Sequence, residues 1–213
     1  PAKEQQAWNA AVFDDPQAAP ARYVAQAWSL PEALAARWIE REGLDGAIGL
    51  AGHAAARSPQ VLRVNRLRAE PQEVLDRLRT AGQPARLHDN GQSVVLDAHT
   101  DVTALAVFRE GLVQPQDASA TDVVAAAEVR PGMAVLDFCA APGTKTTHLA
   151  ACMENRGRVV AVDVSDEKLR RIAESCRRLG ATIVEPLWAD RIGTLAPGSF
   201  DVVLADVPCS NTG

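Results

Sequence analysis

Several features that would assign the 213-residue chain to a specialised class are missing. No apolar run approaches the ~20 residues that a membrane helix needs, and the first thirty residues lack the pattern of an export signal. The four cysteines include no Cys-x-x-Cys pair, which argues against a zinc site, and without export they are expected to be reduced thiols. The sequence therefore predicts a cytoplasmic protein with no metal and no membrane partner.

An excess of basic residues is also lacking. The 22 lysines and arginines are outnumbered by 27 acidic residues, which gives a formal net charge of −5. Because a protein that binds nucleic acid over its whole surface is usually basic, any RNA contact must be local. The content of 47% hydrophobic and 23% charged residues is typical of a globular protein and excludes a disordered tail, a collagen or a coiled coil.

The chain divides into three parts by pattern. Residues 1–58 read as helical, with a proline-started helix near Pro31 and a break at Ser58-Pro59. Residues 59–118 predict a strand at 61–66, a helix beginning at Glu70-Pro71 and a strand at 94–96, hence a small α/β domain that resembles RNA-binding (RRM-like) domains. Residues 119–213 form the third predicted domain.

Residues 57–86, at the start of the second part, carry a local excess of arginine. Three acidic residues, Glu70, Glu73 and Asp76, are outnumbered there by seven arginines: Arg57, Arg63, Arg66, Arg68, Arg77, Arg79 and Arg86. Two interpretations are open, a solvated charged face and a patch that contacts phosphates.

Strands and helices alternate in the third part. Apolar strands are predicted at 134–138, 158–163, 182–184 and 200–206, and helices from Thr144 to about Met153 and from Ser165 to Leu179. Continuously apolar strands separated by helices indicate a parallel sheet that is buried on both faces. The predicted fold class is therefore α/β.

Polar residues stand where each of these strands ends. The first strand runs into a loop of small residues at 139–145, the second ends at Asp163, the third is followed by Asp190, and the fourth ends at Asp206. Ligands of open α/β sheets bind at the carboxyl ends of the strands. The glycine patterns of the P-loop and of the dinucleotide fingerprint are both absent from the loop.

These residues suggest a nucleoside ligand that carries a carboxylate at its other end. Asp163 follows Gly143 by 20 residues, the spacing of an acid that binds ribose hydroxyls, although it could instead cap a helix. Asp190 could accept from an adenine amino group or be an ordinary loop aspartate. S-adenosylmethionine (SAM) meets this description.

One lysine stands near the strand ends. We expect Lys145 and Asp206 to form a partly buried pair, which would favour a thiolate at Cys209. The alternatives are an exposed helix lysine and a small buried cysteine. Cys139 is expected to serve packing rather than chemistry.

Two segments resemble motifs of the RNA (cytosine-5)-methyltransferases. Residues 137–147, with Cys-Ala-Ala-Pro-Gly-Thr-Lys at their centre, are similar to the first SAM motif, and 206–213, Asp-Val-Pro-Cys-Ser-Asn-Thr-Gly, to the fourth. Residues 62–66 and 116–119 resemble segments of the bacterial Sun/RsmB-type 16S ribosomal RNA enzymes. The resemblance covers roughly residues 30–213.

The resemblance implies a fold and a set of cofactor contacts. The fold is a class I SAM-methyltransferase Rossmann-like parallel sheet, of strand order 3-2-1-4-5-7-6, of which the first four strands are present. Cofactor contacts are implied at Cys139, Ala140, Ala141, Pro142, Gly143, Thr144 and Lys145, with Asp163, Asp190 and Asp206 lining the same pocket.

The resemblance also implies methylation of cytosine C5, in ribosomal RNA, through a covalent cysteine adduct. The attacking cysteine belongs to a later Thr-Cys motif, which is absent, while Cys209 assists product release and Asp206 contacts the cytosine ring. One rival is the DNA cytosine-5 methyltransferases, in which the Pro-Cys cysteine attacks, although their motif continues with glutamine and Ser210 stands here. Another is a non-catalytic SAM- or RNA-binding protein on a degenerate methyltransferase fold.

Two positions depart from the family's motifs. Thr144 replaces a common glycine and would be strained if that position needed a positive φ, and Asn211 replaces another. The NusB-like RNA-binding domain that bacterial members often carry is not visible in the sequence.

The missing Thr-Cys motif predicts that these 213 residues keep part of the SAM pocket without completing methyl transfer. The fourth strand would then also be an exposed apolar edge. The measurement is transfer of a labelled methyl group from SAM to 16S ribosomal RNA. Methylated RNA produced by the isolated chain would contradict the prediction.

Overall fold

The computed structural model describes residues 12–56 and 58–208 in two units. One unit comprises the described residues up to Ser58, and the other comprises Pro59–Pro208. Within the described ranges, no helix is long and apolar enough to cross a membrane.

The first unit is helical. Helix α1 spans Pro20–Trp28 and helix α2 spans Glu32–Ala55, with a kink at Gly43, whose φ of 73° is not helical. Proline occupies the first position of α1, where its missing N–H costs no hydrogen bond, and Ser29 ends the helix in a left-handed conformation. The two helices share a small core around Val24, in which the rings of Tyr23 and Trp28 meet edge to face at 6.1 Å.

The second unit begins with a small antiparallel sheet. Its elements are β1 (Gln60–Val64), α3 (Pro71–Thr80), β2 (Ala85–Leu87), β3 (Ser93–Leu96), a 3₁₀ turn (Val102–Ala104), α4 (Ala106–Arg109) and β4 (Val113–Pro115). The strand order is β2-β3-β1-β4, in a βαββαβ chain order. Leu62 of β1, Val74 and Leu78 of α3 and Val94 of β3 form its buried core.

The second sheet of this unit is parallel. Its elements are α5 (Ala118–Ala126), β5 (Ala134–Phe138), α6 (Thr144–Cys152), β6 (Arg158–Asp163), α7 (Asp166–Leu179), β7 (Val184–Trp188), a 3₁₀ helix (Ala189–Thr194) and β8 (Val202–Ala205). The order β7-β6-β5-β8 is the predicted 3-2-1-4, and all pairs are parallel. The predicted α/β fold class is thus confirmed.

The third strand of this sheet differs from the prediction. It was expected at 182–184, whereas β7 begins at Val184 and continues through Glu185 and Pro186 to Trp188. Among the described strands β7 is at the edge of the sheet and pairs with β6, and an edge strand tolerates proline and charge. By contrast, β5 and β6 lie at the predicted residues, and α7 has the expected Ser165 cap and Gly180 end.

Buried polar contacts join the two sheets. The Asn65 amide Nδ2 donates to the carbonyls of Gly111 at 2.8 Å and Leu179 at 2.7 Å. From α7, the Arg178 guanidinium donates to the Phe108 carbonyl at 3.0 Å and lies 3.8 Å from the centre of that ring. These contacts satisfy backbone groups where the sheets meet, so they fix the relative position of the sheets.

Gly111 is expected to be the glycine at this junction that least tolerates a side chain. Its φ is +73°, and a Cβ would lie 2.0 Å from the carbonyl oxygen of Arg178. We expect Gly111→Ala to lower the free energy of unfolding by ~2 kcal/mol or more beyond the ~1–2 kcal/mol of left-handed strain. Urea denaturation measures the change.

Gly82→Ala is the matched control. Gly82 has the same kind of backbone, with φ +74°, but a Cβ there would meet nothing within 4 Å. Equal destabilisation by the two variants would show that the contact between the sheets does not constrain Gly111.

Candidate functional site

The loop between β5 and α6 is tightly turned at both ends. Cys139 opens it with φ 62°, and Gly143 closes it with φ 93° as the residue that caps α6. A Cβ on Gly143 would lie 3.2 Å from the Cα of Ile172, so the loop packs directly on α7. Thr144 is the first helical residue and is not among the residues with positive φ, so the strain considered for it does not arise.

Asp163 holds this loop from the end of β6. Its carboxylate accepts from the amide of Ala141 at 2.9 Å and from the amide of Val164 at 2.8 Å, and it pairs with Lys168 at 3.0 Å. Burial raises the pKa of Asp163, but these amides and the ammonium outweigh it and leave the pKa lowered. The helix cap of α7 is Ser165, so Asp163 is not a helix cap.

A cavity of about 240 Å³ opens beside the loop. Seven predicted site residues line it: Cys139, Ala140, Ala141, Pro142, Thr144, Lys145 and Asp206. Five further residues line it that were not singled out as site residues: Pro115, Gln116, Asp117, Ala120 and Asp137. For Gln116, Asp117 and Asp137 the signal was in the sequence, because they belong to segments that carry the family resemblance, whereas Pro115 and Ala120 lie just outside them.

Lys145 and Asp206 meet at the cavity. The Lys145 Nζ atom, in the first turn of α6, lies 2.6 Å from Asp206 Oδ2, just beyond β8. The lysine side chain is 20% exposed and the aspartate side chain 59%. The carboxylate therefore keeps a face toward the open side of the cavity, where a ligand can reach it.

Asp137 is a buried acid at the wall of the cavity. It is 1% exposed, and its Oδ2 accepts from the hydroxyl of Thr146 at 2.6 Å. Burial raises its pKa to about 6; the Thr146 hydrogen bond and Lys145 oppose the rise, and Asp206 and Asp163 add to it. Asp137 therefore changes its protonation near pH 6.

Three predicted residues lie outside the lining of the cavity. Asp163 holds the loop through the amide of Ala141, and Gly143 closes the loop as the cap of α6. Asp190 is exposed on the 3₁₀ helix that follows β7. Cys209 and Asn211 lie outside the described residues, so their predicted roles have no structural counterpart here.

Two apolar side chains at neighbouring strand ends were not foreseen. Val164, after β6, is 59% exposed, and Trp188, at the end of β7, is 37% exposed. The indole Nε1 of Trp188 donates to Asp166 at 2.6 Å, which holds the ring beside the start of α7. Val164 directly follows Asp163, and Trp188 is the register partner of Asp163 on β7.

The arginine-rich surface predicted for the small sheet must be corrected at Arg63. Arg63 is 1% exposed and contacts Gln116 and Thr147, so it belongs neither to a solvated face nor to a phosphate patch. Its side chain points toward helix α6, a contact between distant parts of the chain that local sequence does not reveal. Other members are held by carboxylates, in the pairs Arg66–Glu70, Arg77–Glu110 and Arg86–Asp97, and Arg57 lies outside the described residues.

No metal site accompanies the cavity in the part of the chain that is described. There, no group of three or more histidine, cysteine, aspartate or glutamate side chains is placed to hold a metal ion.

Family models match most of the chain. One, described as 16S rRNA methyltransferase RsmB/F, matches residues 124–213, and another, described as the RsmF/B-like ferredoxin-like domain, matches residues 30–103. Together the two matches include strands β1 to β3 of the small sheet and the cavity-lining residues from Asp137 onward.

Known proteins are similar over nearly the whole chain. The probable ribosomal RNA small subunit methyltransferase B of Bacillus subtilis is 34% identical over 91% of this chain and 44% of its own length. The ribosomal RNA small subunit methyltransferase B of Pseudomonas syringae is 38% identical over 86% and 41%. A crystal structure of a methyltransferase homologue from Pyrococcus horikoshii is 28% identical, covers 92% of this chain and 64% of that one, and gives a TM-score of 0.77. The chain thus spans less than half of these two curated relatives.

The raised pKa of Asp137 predicts a pH-dependent stability. Between pH 4 and 6 the folded protein holds this proton more tightly than the unfolded chain, so stability is lost as the pH rises through about 6. Relative to Asp137→Asn, the wild type should lose roughly 2 kcal/mol of unfolding free energy between pH 4 and 7. Urea denaturation across that range measures the difference.

Thr146→Val tests the cause of the shift. The variant removes a hydrogen bond that favours the carboxylate, so the loss of stability should move to higher pH. A difference between wild type and Asp137→Asn that does not change with pH would contradict the assignment.

Proposed function

Since the chain belongs to the RsmB/F family of 16S ribosomal RNA methyltransferases, we propose that it supplies the cofactor site of an enzyme that methylates cytosine C5 in small-subunit ribosomal RNA. One observation carries the proposal: the Lys145–Asp206 pair beside the loop that begins at Cys139, at the carboxyl ends of parallel strands. Ribosomal RNA as substrate makes the cytoplasm the proposed compartment.

The residues present fit SAM as the methyl donor. The cavity of about 240 Å³ is smaller than the ~300–1,000 Å³ of typical small-molecule sites, so it suits one end of SAM rather than the whole molecule. Three carboxylates, from Asp117, Asp137 and Asp206, and one ammonium, from Lys145, line it, while the methionine end of SAM carries a sulfonium, an ammonium and a carboxylate and is positive overall. The positive end of the cofactor therefore suits this cavity.

The adenosine end suits the neighbouring strand ends. We assign the ribose hydroxyls to Asp163, which stands at the strand-end position of an acid that binds ribose. Its side chain is only 3% exposed, and Oδ1 already accepts from Val164 and pairs with Lys168, whereas Oδ2 accepts only from Ala141, so Oδ2 is the atom that keeps lone-pair capacity for a hydroxyl. Val164 and Trp188 offer the apolar surface that a purine ring requires. Asp190 stands beyond them, within the same edge of the sheet, as an acceptor for the adenine amino group.

The chain's own residues hold and orient the reactants. SAM, when bound, supplies an electrophilic methyl group. Lys145 keeps the Asp206 carboxylate at the cavity, where it can accept from the amino group of a cytosine. The cytosine must leave its stack to reach this position, which favours a single-stranded or splayed-out target in RNA.

The proposed chemistry requires a thiolate, because cytosine C5 is a poor nucleophile until a cysteine adds at C6. In the proposed mechanism the attacking cysteine comes from a Thr-Cys motif outside these 213 residues, and Cys209 assists release of the product. The alternative is a non-catalytic SAM- or RNA-binding protein. The contact between Lys145 and Asp206 favours the catalytic proposal, since binding alone does not need it.

Asp163→Ala is expected to weaken SAM binding to the chain by roughly 10- to 150-fold, because it removes a charged acceptor worth ~1.5–3 kcal/mol. Titration calorimetry measures the Kd. Asp201→Ala is the matched control: Asp201 also accepts a backbone amide of this sheet, that of Ala134 at 2.8 Å, but at the opposite end of β5. An equal loss of affinity in both variants would contradict the assigned role of Asp163.

RNA that contains 5-fluorocytidine, incubated with SAM, tests which cysteine attacks. If the nucleophile belongs to a Thr-Cys motif outside these residues, the 213-residue chain forms no covalent RNA adduct on a denaturing gel, with Cys209 or with Cys209→Ser. An adduct that forms with the wild type and disappears in Cys209→Ser would overturn the proposal and identify Cys209 as the nucleophile.

A further inference from the structure

A buried arginine of the small sheet contacts the elements that form the cavity. Arg63 of β1 is 1% exposed, and its Nε donates to Gln116 Oε1 at 2.8 Å while its Nη2 donates to Thr147 Oγ1 at 3.3 Å. Its Nη1 has no hydrogen-bond partner, and among the described residues it forms no ion pair with a carboxylate. Burial lowers its pKa to about 10, so it remains charged at neutral pH.

Such an arginine is a costly way to fill a core. A buried charge without a counterion destabilises the fold, and an apolar residue of similar size would avoid that cost. The hydrogen bonds that Arg63 makes therefore indicate what the charge does in this protein.

The hydrogen bond to Thr147 connects Arg63 with the loop between β5 and α6. The Thr147 hydroxyl accepts a hydrogen bond from Arg63, so its own hydrogen must point away from Arg63. It donates that hydrogen to the carbonyl of Gly143 at 2.9 Å or of Thr144 at 3.1 Å. Gly143 is the left-handed residue that closes the loop. Arg63 thus fixes the hydroxyl that braces the end of the loop.

The hydrogen bond to Gln116 connects Arg63 with the wall of the cavity. Gln116 lines the cavity, and its oxygen is held by Arg63 while its amide Nε2 faces His148 Nδ1 at 3.3 Å. His148 Nε2 in turn lies 3.2 Å from Gln92 Oε1. Burial and the charge of Arg63 lower the pKa of His148 to about 3, so the ring is neutral, and this network assigns its hydrogen to Nε2.

We propose that Arg63 is a positioning residue for the cofactor: from the antiparallel sheet it orients Thr147 and Gln116, and so sets the loop and the cavity wall that bind SAM. This inference rests on the proposed function of the cavity. Through Arg63 the small sheet contributes to the cofactor site, although Arg63 itself does not contact the cofactor.

The experiment is a double-variant cycle on the 213-residue chain, with the Kd for SAM and the free energy of unfolding measured for each protein. Arg63→Met and Thr147→Val should each raise the Kd roughly 10-fold, as expected when one or two hydrogen bonds that hold a site are lost. Because the two residues act through one contact, the double variant should bind SAM no more weakly than the weaker single variant. Arg63→Lys, which keeps the charge but not the two-armed geometry, should recover part of the affinity.

Arg178→Met separates positioning from mere stability. Arg178 also joins the two sheets, through the carbonyls of Phe108 and Val113, but it contacts neither Thr147 nor Gln116. It should lower stability and leave the Kd for SAM within twofold of the wild type.

Each outcome decides the inference. A wild type that binds SAM and an Arg63→Met variant that binds it equally, or fully additive effects in the cycle, overturn the positioning role alone. If Arg63→Met does not fold, Thr147→Val and Arg63→Lys decide by the same criterion. A folded wild type that binds no SAM overturns the proposed function and the inference with it.

Discussion

The parallel pairing of β5 with β6 and β8 is the constraint on which the site depends. Phe138, the last residue of β5, lies opposite Val162 of β6 and Ala205 of β8, so three strands end at the same level. The loop after β5, Asp163 after Val162 and Asp206 after Ala205 are therefore neighbours, although they are far apart in sequence. A shift of one residue in either pairing would turn these side chains to the other face of the sheet.

The second constraint is the polar junction between the two sheets. Apolar packing alone is non-directional and would allow small slides of one sheet on the other. Hydrogen bonds from Asn65 and Arg178 to backbone carbonyls remove that freedom. At Gly111 the backbone lies so close to the Arg178 carbonyl that no side chain would fit between them. The small sheet and the cofactor-binding sheet therefore act as one body within Pro59–Pro208.

The sequence predicts what is local. The apolar runs of β5 and β6, the Ser165 cap and the Gly180 end of α7 depend on neighbours along the chain, and all lie where they were expected. Three-residue strands such as β2 and β4 are too short for a periodic pattern, and both were missed. The burial of Arg63 arises from a partner 84 residues away, and the raised pKa of Asp137 from the packing around it, so neither could be predicted locally.

We propose that the loop beginning at Cys139, Asp163 and the Lys145–Asp206 pair form one SAM site. A crystal structure of the chain grown with SAM is the decisive experiment. We expect the ribose hydroxyls at the Asp163 carboxylate, the adenine against Val164 and Trp188, and the methionine end in the cavity of about 240 Å³ beside Asp137. SAM bound away from Asp163, or with its adenine in that cavity, would show that these residues do not form the site.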